Sequence, residues 1–549
     1  MSDICTKPVV LIALYNYDSL AVRMLYSYLE NKGVKVYFLA FKCLKKKNSP
    51  TLKNDYSEPF VYHDEITEQD ISALIAKLKE IDPFLIGISL LSSHFEDAKL
   101  ITNRIKLVLN VPVVWGGSHP TIDPEGCIKE SDMVCVGEGF EPLFEICSAL
   151  KEGRSCESIK NIWINKDGNI KRNEQRPLMN DLDVLSPPSC SPENKIYIDE
   201  GRVLEGMNTD WFGMGFTDEP LKSAHHTMAA FGCPCRCSYC IHSLPGNAYR
   251  LRSPQSVIRE LLHAKKNNNS MRIVFFWDNI FGVNKKWSLE FCRLYEKEIA
   301  LPFFAYAHPL FIDKEVITAM RRAGWAIADM GIQSGCEKIR KDMYGRRETN
   351  EQIVEAARQL DALRKVKSRK NYFKIYYDYI KGNPCEGEKE LSEGLDMFLK
   401  FPKGFIFQAF NLCVFPNYPI TKYMLDKALI TEKDIEKDVN GMSAVNWVNT
   451  FNSKKEYDGY LKRHEYYYLL LSLTQYKSFP NSLIKFIEKR KLFADNLKAL
   501  YRICRVVRFF ELTFRLSNYR WLWETIALAP LDVSLKRAVV NWKRRRSYK

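Results

Sequence analysis

The sequence predicts an α/β chain in three parts: a doubly wound parallel sheet, a partial (β/α) barrel, and a helical C-terminal domain. Three observations predict it. Residues 1–150 alternate continuous apolar runs with segments of helical periodicity, the pattern of parallel strands joined by helices. A second β/α series runs from 253 to 413, just after a loop rich in cysteine. From about Glu456 the pattern becomes helical, aromatic and basic.

In the first part, residues 8–15 form a continuous apolar run suited to a buried parallel strand. A helix follows, with Leu20, Met24, Leu25, Tyr28 and Leu29 at helical spacing and Gly33 at its end. Residues 34–41, 84–90, 111–115 and 133–136 read as further strands, with helices over 71–81 and 97–109. Ligands of such sheets bind at the carboxyl ends of the strands. Those ends carry Ser89, Ser92 and Ser93, then Gly116-Gly117-Ser118-His119, then Gly137-Glu138-Gly139. Glycines there let a large ligand approach the backbone, and they also suit ordinary tight turns.

Residues 151–224 are a connector. Residues 161–171 alternate around Asp167-Gly168 and predict a hairpin, and Pro187-Pro188 breaks the chain. Residues 190–224 lack periodicity. Within them, Trp211-Phe212-Gly213-Met214-Gly215-Phe216 is suited to cover a site or to pack.

The core spans residues 225–425. It opens on Phe231-Gly232-Cys233-Pro234-Cys235-Arg236-Cys237-Ser238-Tyr239-Cys240. Read as Cys-x-x-x-Cys-x-x-Cys, the run uses Cys233, Cys237 and Cys240. Thiolates hold iron–sulfur clusters, and three ligands leave the fourth iron of a cubane open to bind substrate. A zinc knuckle with Cys235 as fourth ligand is the competing arrangement, although structural zinc sites usually split their ligands into two separated pairs. Beyond the loop, helices are expected over 253–263, 287–299, 314–322, 350–363 and 388–401. Strands are expected over 272–277, 304–307, 326–332, 372–380 and 405–413. The strand ends carry Asp278-Asn279-Ile280-Phe281 and Gln333-Ser334-Gly335, and chemistry in such a barrel sits at that rim.

Composition bounds the rest. A chain of 549 residues holds several domains at ~100–200 residues each. Its 16 cysteines are mostly single residues in apolar segments, and no basic-then-apolar leader opens the chain. Free thiols without a secretion signal predict a reducing, cytoplasmic setting. No run approaches the ~18–20 apolar residues of a membrane span. The net charge of +15 permits nucleic acid, anionic lipid or acidic small molecules as partners without choosing among them.

The cysteine triplet, with an aromatic (Tyr239) before its third member, resembles the radical SAM superfamily, in which the open iron chelates S-adenosylmethionine. Asp278-Asn279-x-Phe281 resembles that superfamily's Asp-Asp-x-Phe motif, and Gly331-Ile332-Gln333-Ser334-Gly335 its Gly-Ile-Glu/Gln-Ser-Gly motif. The turns Gly116-Gly117-Ser118-His119-Pro120-Thr121 and Gly137-Glu138-Gly139 look like the cobalamin-binding domain of cobalamin-dependent radical SAM enzymes, and the resemblance spans most of residues 1–420. It implies three cofactors: a 4Fe-4S cluster, S-adenosylmethionine and cobalamin. By the same token Tyr239, Asp278, Gln333 and Ser334 would contact S-adenosylmethionine, with Asp278 on the methionine ammonium. Ser89, Ser92, Gly116, Gly117, Gly137, Glu138 and Gly139 would line the cobalamin. The activity implied is methylation of an unactivated carbon of a small-molecule or lipid-like substrate, with an electron donor such as flavodoxin or ferredoxin. Some relatives use the same cofactors for cyclisation or rearrangement.

Two departures from relatives matter. Many cobalamin domains carry Asp-x-His-x-x-Gly after the first strand, and this chain has Asn16-Tyr17-Asp18-Ser19-Leu20. The lower cobalt ligand is then left open, with His94 and His119 as nominal candidates. The related tRNA methylthiotransferases resemble one another in three further N-terminal cysteines, and Cys5, Cys43, Cys127, Cys135 and Cys147 are not spaced like such a set. Nucleic acid is therefore not expected as a partner. A non-catalytic cobalamin- or metal-binding regulator is the alternative of another class.

Residues 426–549 form the helical domain. Arg502, Arg505 and Arg508 recur beside Phe509, Phe510 and Phe514, followed by Tyr519-Arg520-Trp521-Leu522-Trp523 and Trp542-Lys543-Arg544-Arg545-Arg546. A basic, aromatic helix can lie on an anionic membrane surface or simply cap the barrel with a solvated face.

Overall fold

The computed structural model describes residues 6–42, 45–46, 61–62, 65–206, 224–244, 246–268, 270–368, 372–441 and 459–515. Cys5, Cys43, the 211–216 segment, the 519–523 and 542–546 motifs, and the side chains of Phe509, Phe510 and Phe514 lie outside the described residues.

Apolar strands and amphipathic helices build the first sheet. β1 (Val9–Leu14), β2 (Val36–Phe41), β3 (Leu85–Ser89), β4 (Val113–Gly116) and β5 (Met133–Cys135) run parallel. Every side chain of β1 is buried, as a strand covered on both faces requires. The helices are α1 (Leu20–Asn31), α2 (Glu68–Ile81), α3 (Phe95–Lys106) and α4 (Phe140–Lys151). α2 starts on a reciprocal capping box between Thr67 and Asp70, which satisfies two orphan amide donors. Two apolar cores lie on opposite faces of the sheet.

The connector adds to this sheet. β6 (Ile162–Lys166) and β7 (Asn169–Arg172) form the expected hairpin and extend it antiparallel beyond β5. β8 (Lys195–Asp199) pairs parallel to β2, and β9 (Arg202–Glu205) folds back on β8. The order is β9-β8-β2-β1-β3-β4-β5-β6-β7. Periodicity missed β8 and β9. Both faces of β8 are mostly buried, so its apolar-polar alternation is weak, and β9 is an exposed edge.

The second sheet holds six parallel strands in chain order. They are β10 (Ala224–Thr227), β11 (Ile273–Phe276), β12 (Phe303–Ala307), β13 (Trp325–Gln333), β14 (Lys374–Lys381) and β15 (Ile406–Asn411). Helices α5 (Pro254–Asn267), α6 (Lys285–Glu298), α7 (Lys314–Ala323), α8 (Asn350–Ala362) and α9 (Glu388–Phe398) follow the strands. A large core fills the space between strands and helices, and a smaller one, built on Phe275, Phe304 and Ile327, lines the inner face.

Beyond these come α10 (Glu432–Gly441), α11 (Gly459–Thr474), α12 (Asn481–Lys489) and α13 (Leu497–Arg515). α13 packs on α11, with Leu500 and Cys504 buried in the barrel's outer core and Arg502 and Arg508 exposed. That is the capping arrangement. No helix among the described residues is long and apolar enough to cross a membrane.

Candidate active site

The cysteine loop hangs from the carboxyl end of β10, closed at its base by a short hairpin between Ala230–Phe231 and Arg250–Leu251. Gly232 turns into it at φ +75°, where a Cβ would sit 2.2 Å from the Ala248 carbonyl oxygen, so no other residue fits. The next strand holds the entry: Asn279 Nδ2 donates to the Gly232 carbonyl at 3.0 Å, and Asp278 Oδ2 accepts from the Ala229 amide at 2.9 Å. On the far side, the Ser238 amide and hydroxyl donate to the Tyr344 and Met343 carbonyls at 3.0 and 2.6 Å. The Cys240 amide closes a turn on the Cys237 carbonyl at 2.9 Å.

Cys233 and Cys237 are buried and Cys240 is half-buried, close enough that Cys233 feels the charge of both others. Among the described residues, no three His, Cys, Asp or Glu side chains converge as around a single ion. A cubane takes each thiolate on a different iron, so its ligands stand apart on one loop, as these do. Cys235 sits among them as well, its thiol beside that of Cys233, with Sγ 3.8 Å from His308 Nε2. The spacing of Cys233, Cys237 and Cys240 fits a three-cysteine cluster, and among the described residues the thiols do not converge on one point as a four-cysteine zinc knuckle requires.

At the other sheet, the strand-end glycines form a floor. Gly117 lies at φ +110°, and a Cβ there would meet the Leu90 carbonyl oxygen at 2.7 Å. Gly116 and Gly139 differ, since an added Cβ would find its nearest neighbours at 3.9 and 3.6 Å, ordinary contact. The fold does not demand glycine at those two places, whereas a flat ligand lying on the backbone would. Thr121 ties the two turns together, donating to the Gly117 carbonyl at 2.8 Å and accepting from the Gly137 amide at 3.1 Å. Ser89 Oγ lies beside Gly117, and Ser92 Oγ meets His119 Nδ1 at 3.1 Å.

Comparison with known proteins agrees with both halves. Residues 6–146 match the model of the B12 binding domain, and residues 229–374 that of the radical SAM superfamily. The chain is a cobalamin-dependent radical SAM enzyme. It is 27% identical over 370 residues to an uncharacterized methyltransferase of Pyrococcus horikoshii, covering 65% of this chain and 72% of that one. Its fold is similar to that of the radical S-adenosylmethionine methyltransferase TsrM from Kitasatospora setae, solved with cobalamin and a [4Fe-4S] cluster. The TM-score is 0.61 at 15% identity, covering 92% of this chain and 99% of that one. It is also similar to the cobalamin-dependent S-adenosylmethionine radical enzyme OxsB with aqua-cobalamin bound, at TM-score 0.62 and 16% identity, covering 99% and 76%.

Within this radical SAM enzyme, several expected site residues are engaged by the protein itself. Asp278 is fully buried and spends its carboxylate on the backbone before the cysteine loop, and burial pushes it up to about 7. Ser334 is fully buried and donates to Glu386, while Gln333 stays half-buried at the strand end at φ +70°. Gly335 is glycine because α9 passes so closely that a Cβ would sit 2.1 Å from Gly394 Cα. Tyr239 stacks edge-on against Tyr344 at 5.2 Å and accepts from Arg346 Nη1 at 3.3 Å. Glu138 reaches across to Arg250, on the hairpin that closes the cysteine loop. Its backbone remains in the floor.

Sequence reading missed the braces behind these residues. Arg346 and Glu348 are buried ion-pair partners, and Arg346 Nη2 also donates to the Gly331 carbonyl at 2.8 Å, tying Tyr239 to the rim of β13. Where many relatives carry the cobalt-ligating histidine motif, Asp18 instead pairs with Arg23 at 2.5 Å, and Arg23 donates to the Ser189 carbonyl at 3.0 Å. His226 of β10 approaches Asp18 at 3.7 Å, so this loop is a joint between the two sheets. Asp18 lies before α1 and Arg23 in its first turn, five positions on, so no helical spacing signals that pair. His119 is buried against the edge of Phe95 at 5.1 Å, and burial lowers its pKa and keeps the ring neutral. His94 packs on Tyr15 at 5.2 Å.

Proposed function

We propose that this enzyme methylates an unactivated carbon of a small-molecule or lipid-like substrate held at the barrel rim. One observation supports the reading most: the two cofactor loops are fastened to each other. Arg250, closing the cysteine loop, grips Glu138 in the Gly137–Gly139 turn, and Phe231 packs on Phe140 with ring centroids 6.5 Å apart. A methyl group and a substrate radical must meet within a few ångströms, and such a clasp fixes that approach.

When bound, the cluster with S-adenosylmethionine supplies a radical that removes hydrogen, and cobalamin supplies the methyl group. The chain does the rest. Cys233, Cys237 and Cys240 would hold the cluster, and Gln333 and Tyr239 stand at the rim for S-adenosylmethionine. Ser89, Ser92 and Gly116, with Gly117, Gly137 and Gly139, would seat the cobalamin. A flavodoxin or ferredoxin would deliver electrons.

The test is product analysis. Reduced, cofactor-loaded protein is incubated with cell extract and S-adenosylmethionine labelled in its methyl group. Methionine, 5′-deoxyadenosine, S-adenosylhomocysteine and a labelled methylated product are expected together. Formation of 5′-deoxyadenosine with no labelled product points instead to cyclisation or rearrangement. No cleavage of S-adenosylmethionine at all overturns the enzymatic reading.

A further inference from the structure

The inner face of the second sheet carries a pair of acids that the cofactors leave unused. On β13, Ala328, Met330 and Ile332 face the helices, so Asp329 stands on the opposite face. On β14, Ile375, Tyr377 and Tyr379 face the helices, placing Asp378 on that same inner face. Asp378 lies level with Gly331 on one side and Gln408 on the other. The two carboxyl groups lie close enough that the charge of Asp378 raises the Asp329 pKa, and like charges at such range favour one proton held between the pair. Gln408 Nε2 donates to Asp378 Oδ1 at 3.1 Å.

Their surroundings are aromatic. Phe275 and Phe304 stack at 4.1 Å, Tyr306 stands edge-on to Phe304 at 4.8 Å, and Trp277 lies 4.5 Å from Phe275. Burial and the nearness of Asp378 raise the Asp329 pKa.

Two observations point to a missing ligand. Asp329 is 6% exposed, and its Oδ1 is buried without a hydrogen-bond partner among the described residues. The Tyr306 ring stands beside Asp329 on the neighbouring strand, and its hydroxyl feels both carboxyl groups. No cation among the described residues pairs with either acid. A buried charge without a counter-charge is costly, and aromatic faces beside a carboxylate suit a cation.

We propose that Asp329 and Asp378 anchor the substrate, and that this substrate carries a protonated amine on an apolar or aromatic body. The amine would supply the counter-charge and donate to Asp329 Oδ1 and Asp378, with its apolar part against Phe304 and Tyr306. The inference rests on the proposed function in placing the substrate in this barrel. Asp329 lies four residues before Gln333, so the anchor sits about 13 Å below the rim at ~3.3 Å per strand residue. The carbon that reacts is then remote from the amine.

Binding tests this separately from turnover. Full-length, cluster-loaded protein is titrated anaerobically by calorimetry with three probes of one shape: 2-phenylethylamine, 2-phenylethanol and 3-phenylpropanoate. The amine should bind at least about tenfold tighter than the alcohol, as expected for charge-assisted hydrogen bonds, and the carboxylate weakest. The Asp329→Asn/Asp378→Asn double variant should bind amine and alcohol equally. Equal affinities in the wild type overturn the proposal, and so does an amine preference that survives in the double variant. Should that variant not fold, the wild-type ratio alone decides. A failed methylation assay with the amine preference intact would count against the proposed function and not against the anchor.

Discussion

Arg250 clasps Glu138 with both terminal nitrogens of its guanidinium, one of them at 3.2 Å, and donates further to the Met179 carbonyl at 2.6 Å. The pair bridges the last strand of the cysteine loop and the glycine turn of the other domain. Its side chains are 12% and 23% exposed, so it is shielded enough to exceed the small worth of a surface ion pair.

A double-mutant cycle on Arg250→Ala and Glu138→Gln should return a coupling of about 1–3 kcal/mol in denaturant unfolding. Both variants should still retain hydroxocobalamin, because the floor is made by backbone and small residues. Loss of cobalamin in Glu138→Gln but not in Arg250→Ala would show that the Glu138 side chain touches the cofactor as well.

The four thiols of the cysteine loop should separate cleanly. Replacing Cys233, Cys237 or Cys240 with Ala should leave less than about four irons per chain after anaerobic reconstitution and end S-adenosylmethionine cleavage. Cys235→Ala should keep both, since Cys235 lies outside the Cys-x-x-x-Cys-x-x-Cys spacing, although its sulfur lies between Cys233 and His308. Iron lost in Cys235→Ala while one of the other three is dispensable would reverse the ligand assignment.

The pattern of what could be read in advance follows from physical range. Strands such as β1 and β13 announce themselves in consecutive residues, and so does the loop from Cys233 to Cys240, because ligand spacing is local. Asp329 and Asp378 lie 49 positions apart, and only the parallel pairing of β13 with β14 brings them together. Arg346 behind Tyr239, and Arg23 beside Asp18 and Cys190, are likewise contacts of tertiary packing. Asp278 and Ser334 stand in rim motifs that imply ligand binding, and the fold also uses them, one to hold backbone and the other a neighbouring acid, contacts that a motif does not disclose.

Cobalamin bound to residues 1–150 should be base-off without a histidine below the cobalt. Asp18 and Arg23 fill the place of the ligating motif, and His119 is buried against Phe95 with its Nδ1 on Ser92. The electron paramagnetic resonance spectrum of the cob(II)alamin form should show no nitrogen superhyperfine splitting, and His119→Ala should leave it unchanged. Triplet splitting that disappears in His119→Ala would make His119 the lower ligand.

Glu386 gives a prediction in pH. It is fully buried, accepts from the Ser334 hydroxyl and from Tyr379 Oη at 3.5 Å, and its Oε2 has no hydrogen-bond partner among the described residues. Burial raises its pKa from 4.5 to about 8. Between those values the folded chain keeps a proton that the unfolded chain has released, so this group's contribution is complete below the lower value and fades as pH rises to the upper one. The loss is roughly 1.4 kcal/mol per pH unit at full slope. Glu386→Gln keeps the shape and removes the titration. The stability of the variant relative to the wild type should therefore increase steadily from about pH 4.5 to about pH 8 and then level off, as read by denaturant midpoints at each pH. Groups common to both proteins cancel in that difference. A gap that stays constant across the range would mean that Glu386 is ionised in the fold, paired with a cation that reaches its free oxygen.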